Sequence, residues 1–442
     1  MYDCSLSIMY TLRPLPYTVL RRRGRCKLER SDKTPALSSP EYGADVLKVL
    51  FLAPQPFFTN RGTPISTRAA IRVISDMGQT IDLLTYHEGE DVQIESVTHH
   101  RTIKPPFVNR VPIGPSWQKV LCDVAMLFKA VSMARRNQYD VVHAVEESAF
   151  MAWLIRLLFG VPYIFDMDSL MSLQIVEKSK LLTPAGWVFR WMEKHTVKRS
   201  QGVLAVCPAL VDVAMRHHPT GNVALLPDIP FTGEDATDLP EALTAATGTR
   251  LMYVGNLETY QGIDLMLDGF AKVADDHPDA VLLIVGGSAQ HIEQYKAKAA
   301  SLCEQGRVIF VGPVPIDSLG AVLSFADILV SPRTLGNNTP MKVYSYLQSG
   351  RPVIATRLST HTQVMNDDVS VLVEPNADAM AKGMAELIDS ADKRAQIGSA
   401  GQTYVEREFS EQRFRQRLED FYNNLPGSGR SNPNGDPKPN AA

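Results

Sequence analysis

Short runs of Val, Ile and Leu alternate with stretches of helical period through almost the whole chain, and this alternation limits the fold more than any other feature. Runs this apolar lack the in-out alternation of a half-exposed strand, so they read as strands buried on both faces. Strands covered on both sides belong to parallel sheets whose crossovers are helices. In the first half the pattern predicts strands at Lys48–Ala53, Ile81–Thr85, Val141–His143, Tyr163–Phe165, Gly202–Val206 and Val223–Leu226. In the second half it predicts Arg250–Val254, Val281–Val285, Val308–Val311, Ile328–Ser331, Val353–Thr356 and Ser370–Val373.

A chain of 442 residues exceeds one ordinary core. The expectation is an α/β protein of two doubly wound, Rossmann-like domains facing each other across a cleft, with ligands at the strand carboxyl ends. The first is placed at 46–226, rejoined by a crossing helix at 410–424, and the second at 249–409. The acidic, core-poor stretch 227–248 is the expected hinge. Residues 1–45, an N-terminal extension with no sustained period, and the low-complexity tail 425–442 both read as disordered.

Residues 1–226 hold 27 Lys/Arg against 20 Asp/Glu, and the rest 18 against 28. A balance this mild does not suggest nucleic acid; it allows attraction to an anionic membrane surface. The helix-forming segment around Trp187 and Trp191 carries Arg190, Lys194 and Lys198 as a basic stripe, read either as a membrane-facing surface or as an ordinary solvated face. Five scattered cysteines without a C-x-x-C pair point to a reducing compartment and against structural zinc. Arg21, Arg22 and Arg23 follow the weakly apolar N-terminal stretch, the wrong order for a signal peptide. The predicted location is the cytoplasm, with peripheral contact at the inner face of the membrane as an option.

The densest signal is LVSPRTLGNNTPMKVYSYLQSGRPVIAT, Leu329 to Thr356. Thr339 suits an N-cap and Pro340 the first helical position, so a helix is predicted over Met341–Gln348, stopped at Gly350. The amides at such a start attract phosphate, and Lys342 in the first turn adds a cation. In the first domain, Arg61, Gly62 and Thr63 with Pro64 repeat the same kind of start after the first strand. Gly255, Gly262, Gly286 and Gly287 fall at strand ends or helix starts in the second domain, where close backbone approach to a ligand is feasible.

YVGNLETYQGID, VIFVGPVPIDSL, FADILVSPR and MKVYSYLQSGRPVIAT resemble the GT-B-fold retaining glycosyltransferases of family 4, also called group 1, and the similarity extends over roughly residues 47–424. The resemblance implies transfer of a sugar from a nucleotide-sugar donor, held by the second domain, to a hydroxyl acceptor held by the first. It implies UDP- or GDP-linked sugar as co-substrate, no other cofactor, no metal, and a saccharide or lipid-linked acceptor in surface polysaccharide or glycolipid assembly.

The chain departs from that pattern in its charges. Many members place Arg and Lys where Asn256 and Gln261 stand, and the family's E-x7-E carboxylates would fall on Asn337 and Ser345. Asn337, Asn338, Thr339 and Ser345 remain able to hydrogen-bond hydroxyls, and Arg333 with Lys342 is expected to supply the missing charge. His143 ends a strand of the first domain, as a group facing substrate or as a histidine satisfied by its own fold. Asp168, or Asp166, occupies the slot where members keep a histidine near the reacting sugar. Asp168 is read as a catalytic residue, as a helix cap with Ser169, or as part of a metal-binding Asp-x-Asp. A nucleotide-sugar epimerase and a non-catalytic sugar-nucleotide-binding partner are the rival functions.

Overall fold

The computed structural model describes residues 46–59, 62–112, 116–169, 186–219, 221–231, 239–336 and 338–425. Residues 1–45 and 426–442, together with Arg61 and Asn337, therefore lie outside the described residues.

The buried apolar runs form two parallel sheets. The first has seven strands: β1 (Lys48–Ala53), β2 (Thr80–Thr85), β3 (Val97–Arg101), β4 (Val141–Val145), β5 (Tyr163–Met167), β6 (Gly202–Ala205) and β7 (Asn222–Leu225). Their order is β3-β2-β1-β4-β5-β6-β7. The second has β8 (Thr249–Val254), β9 (Ala280–Val285), β10 (Val308–Gly312), β11 (Ile328–Ser331), β12 (Val353–Thr356) and β13 (Val371–Val373), ordered β10-β9-β8-β11-β12-β13. In both sheets the order reverses beside the first strand, between β1 and β4 and between β8 and β11. Such switch points leave a crevice at the strand carboxyl ends.

The edge strand β3, with sequence VTHHR, was not among the expected strands. Its two histidines and single valine give no apolar run, because an edge strand needs covering on one side only. The first-domain helices used below are α1 (Gly62–Asp76), α2 (Trp117–Arg136), α3 (Ser148–Phe159) and α4 (Gly186–Arg199).

Each face of the first sheet has its own core. Leu50, Leu52, Val142 and Phe165 face α2, α3 and α4, which contribute Met126, Ile155 and Val197. Val49, Phe51, Val141 and Ile164 face α1 and the closing helix Glu411–Asn423, which contributes Phe414, Leu418, Phe421 and Tyr422. The closing helix begins at an N-cap, Ser410, whose hydroxyl accepts from the Arg413 amide, and it finishes the core of the first sheet from the far end of the chain. Burying Phe421 and Leu418 there stabilises by roughly 2–3 kcal/mol each.

Candidate active site

At the second switch point, β8 ends in Gly255, with φ of 149°. The Lys342 ammonium lies over the Tyr253 ring, 3.8 Å from its centroid. A Cβ added at Gly255 would come within 2.9 Å of the Lys342 Nζ. The backbone conformation at Gly255, which L side chains rarely adopt, is what calls for glycine here. The Lys342 ammonium is shut off from solvent and meets no hydrogen-bond acceptor among the described residues. Burial, reinforced by the positive charge of Arg333, pulls its pKa well below the usual lysine range. Lys342 thus sits beside a second basic group with no hydrogen-bonded carboxylate among the described residues, an arrangement that favours an anionic ligand.

Arg333 is buried and held in place: its Nε donates to the Leu335 carbonyl at 2.7 Å, and its Nη2 to Asn338 Oδ1 at 3.2 Å. Its guanidinium lies 5.3 Å from the centroid of the Tyr260 ring. Tyr253 and Tyr260 thus carry the two cations, yet both read in sequence as ordinary strand-end and turn aromatics. Gly286, at the end of β9, has φ of 105° and packs so closely that a Cβ would lie 2.3 Å from the Gly255 carbonyl oxygen. Its contribution is to let the two strand-end turns touch.

The other expected donor residues divide. Gln261 is buried with its side-chain carbonyl unpaired, in the turn Thr259–Gln261 before Gly262. Asn256 is exposed, and its Oδ1 accepts from the Glu258 amide at 3.3 Å, so it folds onto its own loop. The helix begins at Lys342, not Met341, and runs to Gln348, with no side chain capping its first turn. Thr339 is not the N-cap expected; it is buried, near Tyr344, and caps no amide of the helix. Ser345 is a correction. Only 3% exposed, it accepts from the Phe231 amide at 3.0 Å and ties the segment at Phe231 to this helix, so its hydroxyl is engaged by the protein's own backbone.

The start of this helix faces the first domain. A Cβ on Gly62, the first residue of α1, would lie 3.9 Å from the Met341 sulfur, so the two helix starts oppose each other. Thr63 sits half-buried in the first turn of α1. Arg68, further along α1, lies within electrostatic reach of Asp317 of the second domain.

At its strand ends the first domain gathers carboxylates. Asp168 follows β5; burial first, then Asp166, Glu146 and Asp228, push its pKa well above the usual carboxylate range. Glu146, at φ 49° after β4, is pushed up to about 7 by burial and by Glu147. Asp228, which accepts from Ser66 of α1 at 2.8 Å, is pushed up to about 6 by burial. Asp228 also bears on Tyr344 in the Lys342–Gln348 helix, so this acidic wall and that helix border one cleft. Among the described residues no group of three His, Cys, Asp or Glu is disposed to hold a metal ion. Glu146, Asp228 and Ser66 were not legible as site residues, since their proximity arises only from the sheet topology.

His143 is the second correction. It has no exposure; its Nδ1 lies 2.7 Å from the Tyr422 hydroxyl, its Nε2 3.3 Å from Asp166, and its ring stacks on Phe51. Fully buried among Phe51, Tyr422 and Asp166, its ring is engaged by the fold itself and helps to fix Asp166.

Residues 61–227 match the Glycosyl transferase 4-like domain, and residues 248–390 match Glycosyl transferases group 1. The chain belongs to the group 1, family 4 glycosyltransferases. This glycosyltransferase is 25% identical over 283 residues to a D-inositol 3-phosphate glycosyltransferase of Corynebacterium diphtheriae, covering 60% of this chain and 66% of that one. It is 26% identical over 247 residues to a GDP-mannose-dependent monoacylated alpha-(1-6)-phosphatidylinositol monomannoside mannosyltransferase of Corynebacterium glutamicum, covering 54% and 62%. In structure it is similar to sucrose-phosphate synthase from Thermosynechococcus elongatus, with a TM-score of 0.70 at 17% identity, over 86% of this chain and 99% of that one. It is also similar to Anabaena HepE, solved with UDP-glucose, with a TM-score of 0.63 at 15% identity over 85% and 98%. Both likenesses establish the GT-B fold.

Proposed function

We propose that this glycosyltransferase moves a sugar from a nucleotide-sugar donor to a hydroxyl acceptor with retention at the anomeric carbon. The observation that carries the proposal is the Lys342 side chain, buried beside Arg333 and against the bare backbone of Gly255 with no hydrogen-bond partner for its Nζ among the described residues. A donor diphosphate supplies the missing anion. As the bond to the sugar breaks, negative charge grows on the leaving phosphate, and two cations already in place stabilise it without reorganising. Arg333 and Lys342 thereby do the work that the Arg and Lys absent at Asn256 and Gln261 do in other members.

The acceptor lies toward Asp168, Glu146 and Asp228. Asp168 orients the acceptor hydroxyl, while a donor phosphate oxygen takes its proton on the same face from which the diphosphate leaves. No side chain is placed as a nucleophile in this account. The two helix starts at Gly62 and Met341 close over the donor and limit its hydrolysis by water. The setting is surface polysaccharide or glycolipid assembly, with a saccharide or lipid-linked acceptor; the phosphatidylinositol monomannoside in the name of the Corynebacterium glutamicum relative supports the lipid-linked form. A lipid-linked acceptor brings the enzyme into peripheral contact with a membrane. Among the described residues no helix is long and apolar enough to cross one.

Thermal denaturation with UDP-, GDP-, ADP- and TDP-sugars tests this reading. One of them is expected to raise the melting temperature by several degrees, on the order of 2–4 kcal/mol at saturating ligand, and to be slowly hydrolysed. Absence of any shift across the four contradicts donor binding; a shift without hydrolysis favours the non-catalytic binding partner.

A further inference from the structure

The first domain exposes apolar surface where a soluble helix would be polar. On α2, Trp117, Val120, Val124 and Phe128 lie three to four residues apart, hence on one face, and they are 58%, 58%, 45% and 72% exposed. The opposite face, with Cys122, Met126, Ala130 and Met133, is the one in the core. The helix is therefore apolar on both sides, and only one side is covered.

The neighbouring helices continue the pattern. The end of α3 exposes Leu157, Leu158 and Phe159, and α4 exposes Trp187 and Trp191. The three helices form one layer, α2 packing on α3 and α3 on α4, where Trp153 meets Trp191 edge to face at 6.1 Å. All four tryptophans of the chain lie on this layer.

Its charge has one sign. Lys129, Arg135 and Arg136 are exposed on α2, and Arg190, Lys194 and Lys198 on α4. The carboxylates of these helices turn inward: Asp123 accepts from the Tyr86 hydroxyl, and Glu193 is 6% exposed. A protein surface answering this layer would need a broad apolar patch ringed by acid. A bilayer with anionic headgroups provides both at once, with tryptophans at the headgroup level and the cations among the phosphates.

From this juxtaposition of uncovered apolar stripe, clustered tryptophans and unopposed cations, we infer that α2, α3 and α4 form a docking face for an anionic phospholipid bilayer. The inference deepens the lipid-linked-acceptor reading, since it seats the acceptor domain on the membrane, but its test does not depend on donor chemistry.

The full chain is mixed with vesicles of phosphatidylcholine alone or containing about one-third phosphatidylglycerol, and tryptophan emission and co-sedimentation are followed. The expected result is a blue shift and binding on the order of tenfold stronger to the anionic vesicles, weakened at about 0.5 M salt. Trp117→Ser with Phe128→Ser, and separately Arg190→Glu with Lys194→Glu, should each lower binding about tenfold with an unchanged melting temperature. Retained stabilisation by the donor in both variants keeps the outcome separate from that of the transfer reading. Equal or absent binding of the wild type to the two vesicle types would overturn the inference. So would wild-type binding by the charge variant, or a concentration-dependent dimer in gel filtration that the Trp117/Phe128 variant abolishes while vesicles leave the wild type unbound.

Discussion

The Tyr422 hydroxyl and the His143 Nδ1 stand 2.7 Å apart although 279 positions separate them in sequence. Tyr422 belongs to the closing helix and His143 to the centre of the first sheet. When the phenol donates to Nδ1, the Nε2 proton is left to donate to the partly buried Asp166, and all three groups are satisfied. Burial pushes the Tyr422 phenol well above its usual range, so it stays protonated wherever the fold is stable. The end of the chain thereby holds the strand that carries the acidic wall of the cleft.

Tyr422→Phe leaves a buried imidazole nitrogen without its partner. The expected cost is about 1–3 kcal/mol in urea unfolding, with an unchanged dependence on denaturant. Unchanged stability would show that the contact contributes nothing.

Glu146 and Asp228 bind protons more tightly in the folded chain than in the unfolded one, with pKa values raised to about 7 and about 6. Between the ordinary carboxylate pKa and those values the folded state holds more protons, so stability falls as pH rises. Glu146→Gln should therefore gain on the wild type between pH 5 and pH 8, read as the difference in melting temperature at the two values. A difference that does not change with pH would contradict the burial of this carboxyl group.

Gly286→Ala sets a methyl 2.3 Å from the Gly255 carbonyl oxygen at a φ of 105°. Gly78→Ala is the control: it has φ of 82° and nothing within 4 Å. The control should lose about 1–2 kcal/mol from backbone strain alone. Gly286→Ala should lose more and weaken donor binding as well, since the two turns must separate. Equal losses in the two variants, by denaturant titration, would mean that the turns do not need their contact.

Asp168→Asn keeps the shape and removes the titratable carboxyl group, whose pKa burial and the neighbouring carboxylates raise. Donor hydrolysis and transfer should drop by on the order of a hundredfold in kcat, with donor KM little changed. Wild-type turnover would remove Asp168 from the mechanism.

Much of the scaffold was legible because both sheets are buried on both faces. Strands such as Lys48–Ala53 and Ile328–Ser331 are continuous apolar runs with no competing reading. β3 was hidden because an edge strand can afford His99 and His100. At the site, Lys342, Gly255 and Arg333 were readable, being a cation and glycine at strand and helix ends. Ser345 was misread because alignment to a motif position says nothing about which way a side chain points; here it faces Phe231. His143 was left with two readings, and only the return of Tyr422 across the chain decides between them. Tyr253, Glu146 and Asp228 gain their meaning from strand order, which no local pattern encodes.

In the proposed function Lys342 takes up its charge fully when a diphosphate lies beside it. Isothermal titration of the wild type and Lys342→Met with the nucleoside diphosphate selected by the thermal screen tests it most directly. The account predicts a loss of about 2–4 kcal/mol, on the order of a hundredfold in Kd, with the unliganded variant at least as stable as the wild type. Equal affinity in the two proteins would contradict it.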